Sequence, residues 1–252
     1  MAFADQAPAS APRELAWIAG AGASAGLGAA LARRFAREGL LAVLTARSPE
    51  RLRALSAEIA AAGAQAHALA GDVSSAADAA RLATEIARLG TLRVAIFNAG
   101  NMVRGTPLEL TPEQFEATWR GSTYAGFLFA RAALPRLLAA GGGSLLFTGA
   151  SASVRGRGPF AAFAAAKAGL RSLAQSCARE YGPQGVHVAH IVIDGGIDGK
   201  QLRANAPQHA AAAIADSLLA PEAIAETYWQ LHRQPRNAWT HELDLRPYRE
   251  TF

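Results

Sequence analysis

Along this chain, short apolar runs alternate with longer stretches whose apolar residues recur every three or four positions. That is the pattern of strands followed by amphipathic helices. ELAWIAGA (14–21) is apolar and extended and runs into a Gly-rich turn. GAALARRFAREG (28–39) places Leu31 and Phe35 on one helical face and Arg33, Arg34 and Arg37 on another. LLAVLTA (40–46) and AQAHALAGD (64–72) read as strands on either side of a helix at 48–63, which opens with Ser48 and Pro49 and stops at Gly63. A Ser-capped helix at 74–90 precedes a fourth strand at 92–100, and one or two long helices lie within 111–139, around Pro112 and Pro135. A fifth strand (143–149), a long Ala-rich helix (160–182), a sixth strand (186–194), a helix (221–234) and a short strand within 238–247 complete the series. The alternation predicts an α/β fold, a parallel sheet with helices on both faces and right-handed crossovers.

A length of 252 residues, 51% of them hydrophobic, suits one domain with a sizeable core. We expect a disordered tail at 1–13, a single domain at 14–252, and a mobile cover over the site in the Ala-rich stretch 198–220. The first residues, MAFADQAPASAPRE, lack the basic start and apolar segment of a signal peptide, and no apolar run reaches the roughly 18 residues of a membrane helix. The single cysteine, Cys177, fits a reducing, cytoplasmic setting. The formal charge of +5 is spread over dispersed arginines without a basic run, which argues against nucleic acid as partner but favours a phosphorylated ligand. Of the 25 basic residues only two are lysines, Lys167 and Lys200.

The turn AGASAGLG (21–28) joins the first strand to the first helix, with Gly22, Gly26 and Gly28 in G-x-x-x-G-x-G spacing. Glycine is needed where pyrophosphate approaches the backbone, and the helix N-terminus behind it offers free amides and a positive dipole end to an anion. Ser24 and Leu27 complete the predicted cradle. Enzymes that bind NAD usually end the second strand with an acid that holds the ribose hydroxyls. Here that strand ends in Arg47, whose guanidinium suits a 2′-phosphate, so NADP(H) is expected over NAD(H).

Taken with GDV (71–73), FNAG (97–100) and the long helix bearing Lys167, this turn makes the chain resemble the short-chain dehydrogenase/reductase family over nearly its whole length. The resemblance implies a Rossmann-type, doubly wound sheet of order 3-2-1-4-5-6-7 and usually a homodimer or homotetramer built on long helices. It assigns the adenine to Asp72 and Val73, and the ribose wall to Asn98, Ala99 and Gly100. It also places the backbone around Gly195 to Ile197, in the turn IDGGIDG (193–199), near the nicotinamide carboxamide, with Asp194 standing where the family has Pro.

Members of that family reduce carbonyls with Asn, Ser, Tyr and Lys. The resemblance matches Lys167 but puts Phe163 at the Tyr position, Ala150 at the Ser position with Ser151 beside it, and Ser122 at the Asn position. A neighbouring ammonium lowers the pKa of a phenol, and a serine hydroxyl steadies the oxyanion. A phenyl ring at 163 does neither. Tyr124, two residues beyond Ser122, is the candidate replacement acid. The six histidines show no metal-ligand spacing, and His187 and His190, three apart on one strand, face opposite sides.

Three readings follow. The first is an NADP(H)-dependent oxidoreductase that transfers hydride to a small molecule by an atypical mechanism. The others are a non-catalytic NADP(H)-binding sensor or partner subunit, and a scaffold with a vestigial site.

Overall fold

The computed structural model describes residues 13–22, 24–205, 207–208 and 216–250. All but the last residue of the expected N-terminal tail, and residues 206 and 209–215 of the expected cover, lie outside the described residues. Seven parallel strands form one sheet in the order β3-β2-β1-β4-β5-β6-β7. They are β1 (Glu14–Ala19), β2 (Leu41–Ala46), β3 (Ala66–Ala70), β4 (Thr91–Phe97), β5 (Gly143–Thr148), β6 (Val186–Ile193) and β7 (Glu242–Leu245). Between and after them run α1 (Leu27–Arg37), α2 (Pro49–Ala61), α3 (Ala76–Leu89), α4 (Pro112–Trp119), α5 (Ala125–Ala139), α6 (Ala161–Tyr181), α7 (Lys200–Asn205) and α8 (Pro221–Arg233).

Local chemistry explains the helix starts. Ser48 accepts a hydrogen bond from the Arg51 amide and Ser75 one from the Asp78 amide, while Thr111 and Gln114 cap α4 reciprocally. Pro112 sits in the first turn of α4, where its missing N–H costs nothing. Alternating strand residues fill two cores. One face of β1, with Ala16 and Ile18, packs with Leu31 and Phe35 of α1 and Tyr228 of α8. The opposite face, with Leu15 and Trp17, packs with Phe129 of α5 and Leu170 of α6, the Trp17 and Phe129 rings lying 4.4 Å apart. The buried Trp17 indole donates to Thr45 Oγ1 at 2.9 Å, so its polar atom is satisfied.

The segment 111–139 forms two helices, α4 and α5, joined by a wide π-type turn, Arg120–Tyr124, and Pro135 lies inside α5. Such turns widen the helix by a residue and re-aim its side chains. This one carries Ser122 inward, fully buried.

Candidate active site

The first part of the site is the turn after β1. Helix α1 begins so close to the strand end that a Cβ on Gly28 would lie 2.2 Å from the Gly20 carbonyl oxygen. Only glycine fits there. Gly26 caps the helix without a side-chain hydrogen bond, leaving the first amides of Leu27 and its neighbours open to an anion. Arg33 fixes the turn from outside, donating to the Ser24 carbonyl at 3.0 and 2.7 Å and to Glu58 at 3.0 Å. The sequence pattern shows Arg33 only as a polar-face residue; its bond to Ser24 becomes visible once the turn is folded. A Cβ on Gly22 would touch the Ala46 side chain at the end of β2. Arg47, the next residue, is exposed and has no hydrogen-bond or ion-pair partner among the described residues.

The strands beside this turn bring in the next group. Asn98 donates its side-chain amide to the Gly20 carbonyl at 3.3 Å, tying the end of β4 to the cradle. Ala99 follows, its backbone amide within 2.8 Å of where a Gly20 Cβ would stand. Asp72 forms a tight turn after β3, accepting from the Ser74 amide at 2.9 Å and hydroxyl at 2.7 Å, while Val73 is buried. Opposite, the turn after β6 reaches back: the Lys200 amide donates to the Ala25 carbonyl at 3.1 Å, and Ile197 bridges to Leu219. Gly195 packs against Pro247. Asp194 is buried and receives Arg155 Nη2 on both oxygens, at 2.9 and 3.1 Å, with Arg246 Nη2 at 3.4 Å.

The candidate catalytic side chains lie at the carboxyl ends of β4 and β5, where doubly wound folds bind ligands. Lys167 of α6 is 6% exposed and donates from Nζ to the Thr148 carbonyl at 2.8 Å. Burial pushes its ammonium down to about 8. A Cβ on Gly100 would stand 3.3 Å from Ser122 Oγ and 3.6 Å from Lys167 Nζ, so these three residues share one small space. Ser122 Oγ is buried and has no hydrogen-bond partner among the described residues. The Phe163 ring faces the same ammonium, its centroid 5.9 Å from Nζ.

The remaining candidates are placed differently. Ser151 opens a single 3₁₀ turn after β5 and is half-buried; its neighbour Ser153 accepts the Ala150 amide at 3.1 Å. Tyr124 stacks in a row with Trp119 at 5.9 Å and Phe127 at 6.3 Å, with the Arg120 guanidinium 5.2 Å from its ring. The structure thus brings Lys167 and Ser122 together and engages the Tyr124 ring in that aromatic row. His187 and His190 do face opposite sides of the sheet. His187 stacks on Trp239 at 4.9 Å, while His190 lies under α6 and contacts Glu242.

Residues 16–211 match the short chain dehydrogenase family. An oxidoreductase from Sarocladium schorii is 35% identical over 170 residues, covering 66% of each protein. A short-chain dehydrogenase from Rhodopseudomonas palustris has a similar structure at 38% identity, with a TM-score of 0.79 and 94% and 99% of the two chains covered. A metagenomic short-chain oxidoreductase solved in complex with NADP is 30% identical, with a TM-score of 0.77 over 93% and 96% of the chains. The chain belongs to the short-chain dehydrogenase family of oxidoreductases, proteins that bind nicotinamide dinucleotides.

Proposed function

We propose that this chain is an NADP(H)-dependent oxidoreductase in which Lys167, rather than a tyrosine, handles the proton of hydride transfer. The buried Lys167 ammonium beside Phe163 carries this reading. An acid works best when its pKa lies near the working pH, and a lysine held at about 8 meets that condition. Two of its three N–H groups remain after the bond to Thr148, enough for a ribose hydroxyl and a substrate heteroatom.

The residues fit a nicotinamide dinucleotide on structural grounds. The close approach of α1 to the end of β1 at Gly28, which sets the helix start behind the turn, the uncapped start of α1 and the Ser122 hydroxyl, without a partner among the described residues, support a bound dinucleotide and substrate. Gly22, Ser24, Gly26, Leu27 and Gly28 would hold the pyrophosphate, Arg47 the 2′-phosphate, Asp72 and Val73 the adenine, and Asn98, Ala99, Gly100 and Lys167 the nicotinamide ribose. Backbone from Gly195 to Ile197 would meet the carboxamide. When bound, the nicotinamide supplies or accepts the hydride. The substrate heteroatom gains a proton from Lys167 as its carbon gains the hydride, or loses one to the Lys167 amine in the reverse direction. Ser122 would hold that heteroatom, and Ser151 would line the approach.

The same reading includes a homodimer or homotetramer in the cytoplasm. An open groove of about 420 Å³ between α5 and α6, lined by Phe127, Leu134, Leu138, Leu173 and Cys177, is suited to helix packing between subunits.

Two measurements test the proposal together. Calorimetry with NADPH and NADH should give micromolar binding of NADPH and weaker binding of NADH. Absorbance at the NADPH band should then fall with some member of a panel of ketones, conjugated enones and imines. Tight binding with silence across the panel would favour the non-catalytic sensor, and no binding would remove both readings.

A further inference from the structure

His190 is a buried ionisable group that the proposed chemistry leaves unused. It is fully buried on β6, beneath α6. Its Nδ1 lies 3.0 Å from Glu242 Oε2 on β7. Arg171, one turn beyond Lys167 on α6, donates from Nε and Nη2 to the two Glu242 oxygens at 2.7 Å each. That guanidinium holds the Glu242 carboxyl below the usual carboxylate range. An ionised carboxylate can only accept, so Nδ1 carries the imidazole proton and Nε2 presents a lone pair. Nε2 is buried with no partner among the described residues.

That lone pair points to the end of β5. A Cβ on Gly149 would lie 2.3 Å from His190 Nε2, so the ring occupies the space that glycine leaves. The peptide preceding Gly149 offers its Thr148 carbonyl to Lys167 Nζ at 2.8 Å. Lysine and imidazole therefore flank the same peptide unit. The charged groups facing the ring are Lys167 and Arg171 from α6 and Glu242 from β7; β5 contributes Gly149 and no charge. Burial, together with the Lys167 and Arg171 cations, keeps the imidazole neutral, down to about 4 against the opposing pull of Glu242. The neutral ring thus stands between the peptide that Lys167 bonds and a carboxylate that is 26% exposed.

We propose that the His190–Glu242 pair is the proton outlet and inlet of Lys167. The step conserves protons. One proton leaves the Lys167 ammonium for His190 Nε2, directly or through one water, as the Nδ1 proton passes to Glu242; Glu242 then releases it to solvent, and the reverse order recharges the amine. His190 touches neither substrate nor dinucleotide in this account and acts through Lys167. The proposal rests on the lysine-based chemistry above, but its test needs no turnover.

With only two lysines in the chain, 15N-lysine labelling gives two Nζ signals, and Lys200 serves as the reference. The readout is the rate at which the Lys167 Nζ protons exchange with water in the whole, unliganded protein. His190→Gln keeps a donor for Glu242 but relays nothing, and Glu242→Gln removes the acceptor. We expect each to slow Lys167 exchange at least tenfold, with NADPH affinity unchanged. Free imidazole added to His190→Gly should restore part of the rate. Unaltered exchange in either folded glutamine variant overturns the proposal. If His190→Gln fails to fold, Glu242→Gln and the imidazole rescue decide. A protein that does not bind NADPH but shows these rate changes would retain the relay and lose the oxidoreductase reading.

Discussion

The Phe163 ring stands one helical turn before Lys167 on α6, with its centroid 5.9 Å from the ammonium. An aromatic face attracts a cation, so the ring helps retain a charge that burial disfavours. It does so without a hydroxyl, so in the proposed chemistry the proton that accompanies hydride transfer comes from another group.

Restoring that hydroxyl tests the pocket. In Phe163→Tyr a phenol would sit beside the Lys167 ammonium, which favours the phenolate and lowers its pKa. NADPH-dependent reduction of simple ketones should rise by roughly a hundredfold or more, the usual scale for a positioned general acid. Steady-state rates for the variant and for the triple change with Ala150→Ser and Ser122→Asn provide the check. No gain in either would mean that the cavity is not shaped for a carbonyl.

Lys167 also governs stability against pH. Its folded-state value of about 8 lies below the unfolded value near 10.4, so between these the unfolded chain binds the extra proton. Stability should therefore rise with pH through that window, by about 3 kcal/mol at most, and the penalty should be fully present below pH 8. Urea unfolding of the wild type and of Lys167→Met at pH 7 and pH 10 isolates the effect. The difference between the two proteins should shift by that amount, and an equal response in both would refute it.

The proposed role of Arg47 is to separate the two dinucleotides. Its guanidinium is exposed and has no acidic partner among the described residues, so Arg47→Ala should leave the fold intact. A charge-assisted hydrogen bond is worth roughly 1.5–3 kcal/mol, so NADPH should bind about tenfold to a hundredfold more weakly. NADH binding should be unaltered. Parallel titrations decide, and an equal loss for both ligands would place Arg47 outside the phosphate site.

Gly28 reports on the cradle. The 2.2 Å approach of its absent Cβ to the Gly20 carbonyl is a contact with backbone, which has little room to give. Gly28→Ala should destabilise the protein by about 2–3 kcal/mol and weaken NADPH binding. Gly156, whose Cβ would meet nothing within 4 Å, is the control: Gly156→Ala should stay within about 0.5 kcal/mol of wild type. Thermal melts of the two variants give the comparison.

Much of this fold was legible in the sequence because its signals are local. Ser48 caps the helix it opens and a serine, Ser75, caps the helix expected within 74–90, while the central apolar runs, β1, β2, β5 and β6, became strands buried on both faces. Whether 111–139 holds one helix or two stayed open in the sequence, because Pro135 lies within α5 and the division falls at the π-type turn Arg120–Tyr124, which no proline marks. The Gly-rich turn between β1 and α1 was legible for the same local reason. The clamp from Arg33 to Ser24 and the pairing of His190 with Glu242 and Arg171 were not, since they join segments distant along the chain. Tyr124 was expected near the pocket from its spacing to Ser122. The structure shows its ring stacked with Trp119 and Phe127, a contact spacing alone does not reveal.

The central claim, a nicotinamide dinucleotide site whose proton carrier is Lys167, meets its most direct test in one pH titration. Protein carrying 13Cε-lysine would be followed with and without NADPH. Lys167 should titrate near pH 8, with NADPH displacing the Lys167 signal alone. A Lys167 signal in the usual lysine range near 10.4, or one indifferent to NADPH, would contradict it.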